Sequence, residues 1–139
     1  MIVDASGLVA GRFSSKIAKR VVKGENVVII NAENTVVVGT KENILAKYKQ
    51  RVDASVLSNP HYGPKYSRIP SRMLRRMIKG MLPNKSKTAE RLLKQVKVYN
   101  GFPKELKNNK LETITEVKCN EKHDFMTLKE LAELLGGKW

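Results

Sequence analysis

Three observations predict an α/β fold in which helices cover a mostly parallel sheet. The run "NVVIINA" (residues 26–32) is continuously apolar and rich in β-branched side chains, as a strand buried on both faces requires. Short runs of this kind alternate with longer segments whose apolar residues recur at helical spacing. At 139 residues the chain is one domain in length, enough to bury roughly two-thirds of its unfolded surface without staples.

The elements follow in order. "MIVDA" is a short apolar strand, and "SGLVAG" turns the chain into a helix. On that helix Phe13, Ile17, Ala18, Val21 and Val22 share a face, Arg12, Lys16, Lys19, Arg20 and Lys23 take the other, and Gly24 stands where a C-cap belongs. "NVVIINA" follows at once, and "TVVVG" (35–39) is a second, shorter run of the same type. Thr40 can cap the next helix, whose apolar side is Ile44, Leu45, Tyr48 and Val52. "SNPHYGPKYSRIPS" (58–71) holds three prolines and a glycine and reads as a long loop. Pro70 and Ser71 start a helix and Pro83 stops it. At about 100° per residue, Met73, Leu74, Met77, Ile78 and Met81 share its apolar face. A short helix around Thr88–Lys94 leads into "QVKVY", an alternating strand ended by "NGFP". The last element is a small helix docked on the body: "TLKE" at 127–130 has capping-box spacing, Leu128, Leu131, Ala132 and Leu135 form its apolar face, and "GG" at 136–137 ends it. We divide the single domain into an α/β body over 1–110 and an acidic C-terminal extension over 111–139.

Charge is distributed very unevenly. Of the net +14, residues 60–110 hold fourteen Lys/Arg against Glu90 and Glu105 alone, a net +12, whereas residues 111–139 are net −2. Charge concentrated in this way is the footprint of a polyanion site, and nucleic acid leads the candidates. A membrane surface is the weaker alternative, because no Trp or Phe anchors back the basic stripe. No apolar run approaches the roughly 18 residues of a membrane span. The start "MIVDASGLVAGRF" has no basic leader, so no signal peptide is expected and the protein reads as soluble and intracellular. A lone Cys119 cannot form an internal disulfide, which suits a reducing compartment.

The basic stripe sits on the helix started by Pro70. Arg72, Arg75, Arg76 and Lys79 fall at i, i+3, i+4 and i+7, opposite the methionines, with no acid among them. A solvated surface mixes signs; this one does not, and Arg's planar fork suits bidentate phosphate contact. The stripe continues into Lys85, Lys87, Arg91 and Lys94. In the preceding loop Tyr62 and Tyr66 interleave with His61, Lys65 and Arg68. Either the rings stack on splayed bases while the cations hold phosphates, the pattern of RNA rather than B-DNA, or both rings pack on the body and only the cations face the polyanion. The interface residues are therefore Lys65, Arg68, Arg72, Arg75, Arg76, Lys79, Lys85, Lys87, Arg91, Tyr62 and Tyr66.

Catalytic chemistry is thinly represented. His61, His123 and Cys119 show no metal-ligand spacing, so no metal is expected. "SGLVAGR" stands between strand and helix, where a dinucleotide fingerprint would lie, but lacks its glycine spacing and the Lys-Ser/Thr end of a P-loop. Gly7 and Gly11 then serve a tight turn. Asp4, at the end of the first strand, fits a catalytic acid of a doubly wound enzyme less well than a partner for a nearby backbone N–H or helix start.

The stretch "RIPSRMLRRMIKGMLPNKSKTAERLLKQVKVYNGFP" resembles the signature region of the universal ribosomal protein thirteen family of the large subunit, in its Gly-Met-Leu-Pro step at 80–83, the basic turn after it and the strand "VKVYNG". "VDASGLVAGRFSSKIAKRVVKGENVVIINAENTVVVG" resembles that family's first strand, first helix and second strand, and the tail "FMTLKELAELLGG" resembles its archaeal-type branch. The family usually has a glycine shortly after Pro83, where this chain reads Ser86, Lys87 and Thr88. The resemblance implies a three-layer α/β/α sandwich around a sheet of about four strands. It also implies a structural, non-enzymatic role in the cytoplasmic ribosome: binding large-subunit (23S-type) rRNA beside neighbouring ribosomal proteins and supporting early assembly and translation. No cofactor, small-molecule substrate or membrane is implied. The competing readings are a nucleotide-dependent enzyme built on Asp4 and "SGLVAGR", and an RNA-binding regulator working off the ribosome.

Overall fold

The computed structural model describes residues 1–59, 61–83, 87–103, 106, 111–112, 114, 117–119 and 124–139. The expected α/β architecture is present. Strand β1 (Ile2–Asp4) is followed by α1 (Ala10–Val22), β2 (Val27–Ile30), a 3-10 turn at Ala32–Asn34, β3 (Val36–Val38), α2 (Lys41–Asp53), α3 (Pro70–Met81), α4 (Lys87–Lys94), β4 (Val96–Val98), β5 (Phe125–Thr127) and α5 (Leu128–Leu134). The parallel sheet has the order β1–β2–β4, with Val3 opposite Ile29 and Ile29 opposite Val98. On the far side of β1 a parallel bridge joins Val3 to Glu112, a fourth chain position in the sheet. As its unbroken β-branched run demands, β2 is central, and Val27, Ile29 and Ile30 are fully buried.

Strand β3 departs from the expectation. "TVVVG" resembles β2 in composition, yet β3 pairs antiparallel with β5, outside the parallel sheet, and Val38 is exposed. A run of three valines has no periodicity to separate a central strand from one half of a short antiparallel pair. No strand is expected from sequence at β5, whose three residues run directly into the cap of α5.

Helices α1 and α3 pack on each other through the apolar stripes read from their spacing. Phe13, Ile17 and Val21 meet Met73, Leu74 and Ile78 in one core cluster, all fully buried. Val22, the last residue of α1, falls past the edge of that stripe and is 54% exposed. Gly24 ends α1 in a Schellman turn: its φ is +93°, its N–H bonds the Val21 carbonyl, and the Glu25 N–H reaches Arg20 O at 3.3 Å.

The start of α3 is built by tertiary contacts. Pro70 occupies the first turn, where its ring presets a helical φ, and the free N–H of Ser71 is capped by the Asn100 side chain, 29 residues away in sequence, at 3.0 Å. The next residue, Gly101, adopts φ +69° and donates its N–H to both carboxylate oxygens of Glu33, at 2.9 and 2.8 Å. The "NG" step thus ties the end of β4 to the 3-10 turn and to the first turn of α3. Leu82 is extended and buried ahead of Pro83, which disfavours helix in the residue before it.

The C-terminal elements belong to the same core: Met126, Leu128, Leu131 and Leu135 join the cluster that contains Phe13 and Met73. The Thr127 hydroxyl caps α5 by accepting the Glu130 N–H at 3.2 Å. The Glu130 carboxylate binds the Lys41 ammonium at 2.9 Å. At the other end Gly136 (φ +74°) donates to Glu133 O and Gly137 to Ala132 O, a second Schellman turn. Gly137 also lies against the backbone before α3. A Cβ there would stand 2.5 Å from the Arg68 carbonyl oxygen and 3.0 Å from that of Ala132. "GG" therefore does more than end a helix: its second glycine lets the tail seat closely on the segment that leads into the basic helix.

Candidate nucleic-acid interface

Burial of Met73, Leu74 and Ile78 against α1 fixes which way α3 faces, and the cations take the outer side. Arg72, Arg75, Arg76 and Lys79 are all exposed. Met81, expected on the apolar face, is 45% exposed, and Met77 is only half-buried, so the core contact of α3 is narrower than its methionine periodicity implies.

The four cations differ in their partners. Arg76 donates to the Lys65 carbonyl at 2.8 Å, and its guanidinium lies over the Tyr66 ring, 4.5 Å from the centroid. Arg75 reaches across to α4 and donates to Leu93 O at 3.2 Å. Arg72 and Lys79 make no hydrogen bond or ion pair among the described residues. All four line one open depression with Gly80 and Leu93. A second groove, between α3 and α4, is lined by Arg75, Lys79, Leu82, Ala89, Glu90, Leu93 and Lys94. Two arginines thus hold neighbouring segments through neutral carbonyl oxygens, which orient a guanidinium without cancelling its charge.

In the loop before α3 the two tyrosines separate. Tyr62 is 73% exposed, its N–H held by Asn59 O at 3.0 Å. Tyr66 is half-buried and meets Tyr48 of α2 edge-on, ring centroids 5.7 Å apart and planes at 73°. Arg51, also on α2, sits 5.4 Å from the Tyr48 ring and 5.9 Å from the Tyr66 ring. Burial, then the neighbouring Tyr66, pushes the Tyr48 hydroxyl up to about 12 against the opposing pull of Arg51, so it stays protonated throughout the working pH range. Arg51 lies outside the interface expected from sequence: its helix mixes signs, and its only sequence signal is the i, i+3 spacing from Tyr48. Asn100, which caps α3, had no signal at all.

The remaining expected positions are placed as follows. Lys65 and Arg68 are exposed in the loop, and Lys87 and Arg91 are exposed on α4. Lys85 lies outside the described residues, as does Ser86 of the turn where the family's glycine is missing.

Asp4 takes up the structural role. Its Oδ1 accepts from the Ser6 N–H at 3.0 Å, the Ser6 hydroxyl at 2.7 Å and the Asn31 amide at 3.0 Å. Partial burial pushes this carboxyl up, but the three hydrogen bonds outweigh it and hold the group below the ordinary carboxylate value. They also stabilise the left-handed Asn31 (φ +54°) that turns the chain out of β2. A carboxylate occupied in this way is a turn strut, not a poised base. Among the described residues no group of three His, Cys, Asp or Glu could hold a metal ion, and no helix is long and apolar enough to cross a membrane.

Comparison with known proteins gives one consistent result. The family model described as Ribosomal protein L13 matches residues 1–105. Three similar proteins, each named large ribosomal subunit protein uL13, come from Methanosphaera stadtmanae, Thermoplasma volcanium and Methanocaldococcus jannaschii. The first is 40% identical over 139 residues, covering 99% of this chain and 98% of its own. The second is 39% identical over 136 residues, covering 98% of each chain. The third is 40% identical over 142 residues, covering 99% of this chain and 98% of its own.

Proposed function

The chain belongs to the ribosomal protein L13 family, archaeal type, and from that premise we propose that it binds large-subunit rRNA through the outer face of α3, the loop before it and α4, and supports early assembly of the subunit. Its role in the large ribosomal subunit is structural, not enzymatic, and its place is the cytoplasmic ribosome. The observation that carries the RNA assignment is the cationic face of α3, where four exposed cations line one depression and none is matched by a described carboxylate. The deep, narrow major groove of A-form RNA does not admit side chains, and duplex RNA is held mostly through phosphates and 2′-hydroxyls, contacts that suit such a stripe.

Two measurements test this. In extract with intact subunits, the protein should travel with the large subunit through a moderate-salt sucrose gradient; recovery mainly in the low-molecular-weight fractions would remove the ribosomal assignment. With purified large-subunit rRNA, log K should fall linearly with log salt because each neutralised phosphate releases counterions. A flat line would remove the phosphate contacts.

A further inference from the structure

Three depressions adjoin one another from the loop before α3 to the outer face of that helix. The first is lined by Lys65, Arg68 and Tyr66 among others, the second by Arg51, Ala54, Pro64, Tyr66, Arg76 and Met77, and the third is the cationic depression of α3. Tyr66 is shared by the first and second, Arg76 by the second and third. The order is therefore cationic, aromatic, cationic.

We propose that the middle depression receives one unpaired RNA base while the flanking depressions hold the phosphates on either side of it. The proposal rests on the RNA-binding reading above and adds a subsite to it. The lining is suited to a flat, electron-rich ring: a tyrosine, two planar guanidiniums, a proline ring and a thioether, with no acid among them. Arg76 is already fixed over the Tyr66 ring by its bond to Lys65 O, and Arg51 approaches the same ring from α2. An incoming base extends an existing stack and needs little reordering, which lowers the entropic cost of binding. Aromatic and guanidinium faces stack on every base, so the subsite selects an unpaired base over a paired one and does not read its identity. A base within a duplex has both faces covered and cannot enter.

The test uses the full chain and three probes: a short single-stranded oligoadenylate, the same strand with abasic sugars, and the strand annealed to its complement. The intact strand should bind more tightly than the abasic strand by roughly ten-fold or more, the scale of one base–aromatic stack, and more tightly than the duplex. The ratio of intact to abasic affinity should collapse toward one in Tyr66→Leu and persist in Tyr66→Phe, which keeps the ring. Because Tyr66 packs on Tyr48, Tyr66→Leu is read beside its thermal melt. Arg51→Gln, on an exposed side chain, should shrink the same ratio in a protein that folds as the parent does. Equal affinity for intact and abasic strands, with salt dependence retained, would overturn the base subsite and leave the phosphate contacts standing. Failure of all three probes to bind at low salt would overturn the RNA reading and the subsite with it.

Discussion

Helices α1 and α3 follow one pattern: each buries an apolar stripe against the other and turns a row of cations outward. The rows are treated differently by the rest of the chain. On α1, Arg20 bonds the Glu112 carboxylate at 3.0 Å and lies against the Met1 sulfur, joining the helix to the edge of the sheet. On α3, among the described residues, Arg75 and Arg76 donate their hydrogen bonds to backbone carbonyls, those of Leu93 and Lys65, and to no carboxylate. A carboxylate partner cancels charge, whereas a carbonyl partner leaves the full cation in a fixed place. Arg20 thereby serves the fold, whereas the charge of the α3 arginines stays uncancelled by any described carboxylate, although spacing and composition make the two helices look alike.

The largest expected effect comes from the seam the two helices share. Phe13→Ala should cost about 3–5 kcal/mol by urea unfolding, while RNA affinity per folded molecule stays at the parent value. A stable Phe13→Ala protein that had lost RNA binding would mean that α1, not α3, faces the ligand. Next is Gly137→Ala. Its Cβ has no room beside the Arg68 carbonyl, and overpacking of this kind costs about 1–3 kcal/mol. The urea midpoint should fall, and with it the orientation of the segment leading into α3; an unchanged midpoint would show the tail seat to be loose.

The third prediction tests the contrast directly. Arg72→Ala with Lys79→Ala removes the two cations of α3 whose side chains bond nothing among the described residues, so folding should hardly change. At about 0.7–0.9 per phosphate contact, the slope of log K against log salt should flatten by roughly 1.4–1.8. An unchanged slope in this folded double variant would return the stripe to solvent. Arg76→Ala is a poorer probe, because it also releases the Lys65 carbonyl and uncovers Tyr66. The smallest effect belongs to α1. Arg20→Ala breaks a solvent-exposed ion pair and should cost about 0.2–1 kcal/mol, visible in the melt at low salt and fading as salt screens the pair. The RNA salt slope should stay as it is; a flattened slope would place α1 against RNA as well.

Much of this molecule is determined within short windows of sequence. The unbroken β-branched run of β2, the apolar stripes of α1 and α3, Gly24 and Gly136 at left-handed turns, and the helix limits at Pro70 and Pro83 each follow from local sterics or from a period of two or 3.6 residues. The location of excess charge is legible in the same way, because it is a sum over sequence and needs no tertiary contact. What needed the folded chain are the relations between distant residues. β3 is an antiparallel partner of β5 because Phe125–Thr127 arrives beside it, and three valines cannot specify that. Ser71 is capped by Asn100, and Glu33 is fixed by Gly101. Tyr66 is half-buried and Tyr62 open only because Tyr48, Arg51 and Arg76 converge on one ring and not on the other. Periodicity finds the side of a helix that faces inward; which outward cation meets a carboxylate, which a carbonyl and which neither depends on neighbours many residues away, and only packing brings them together.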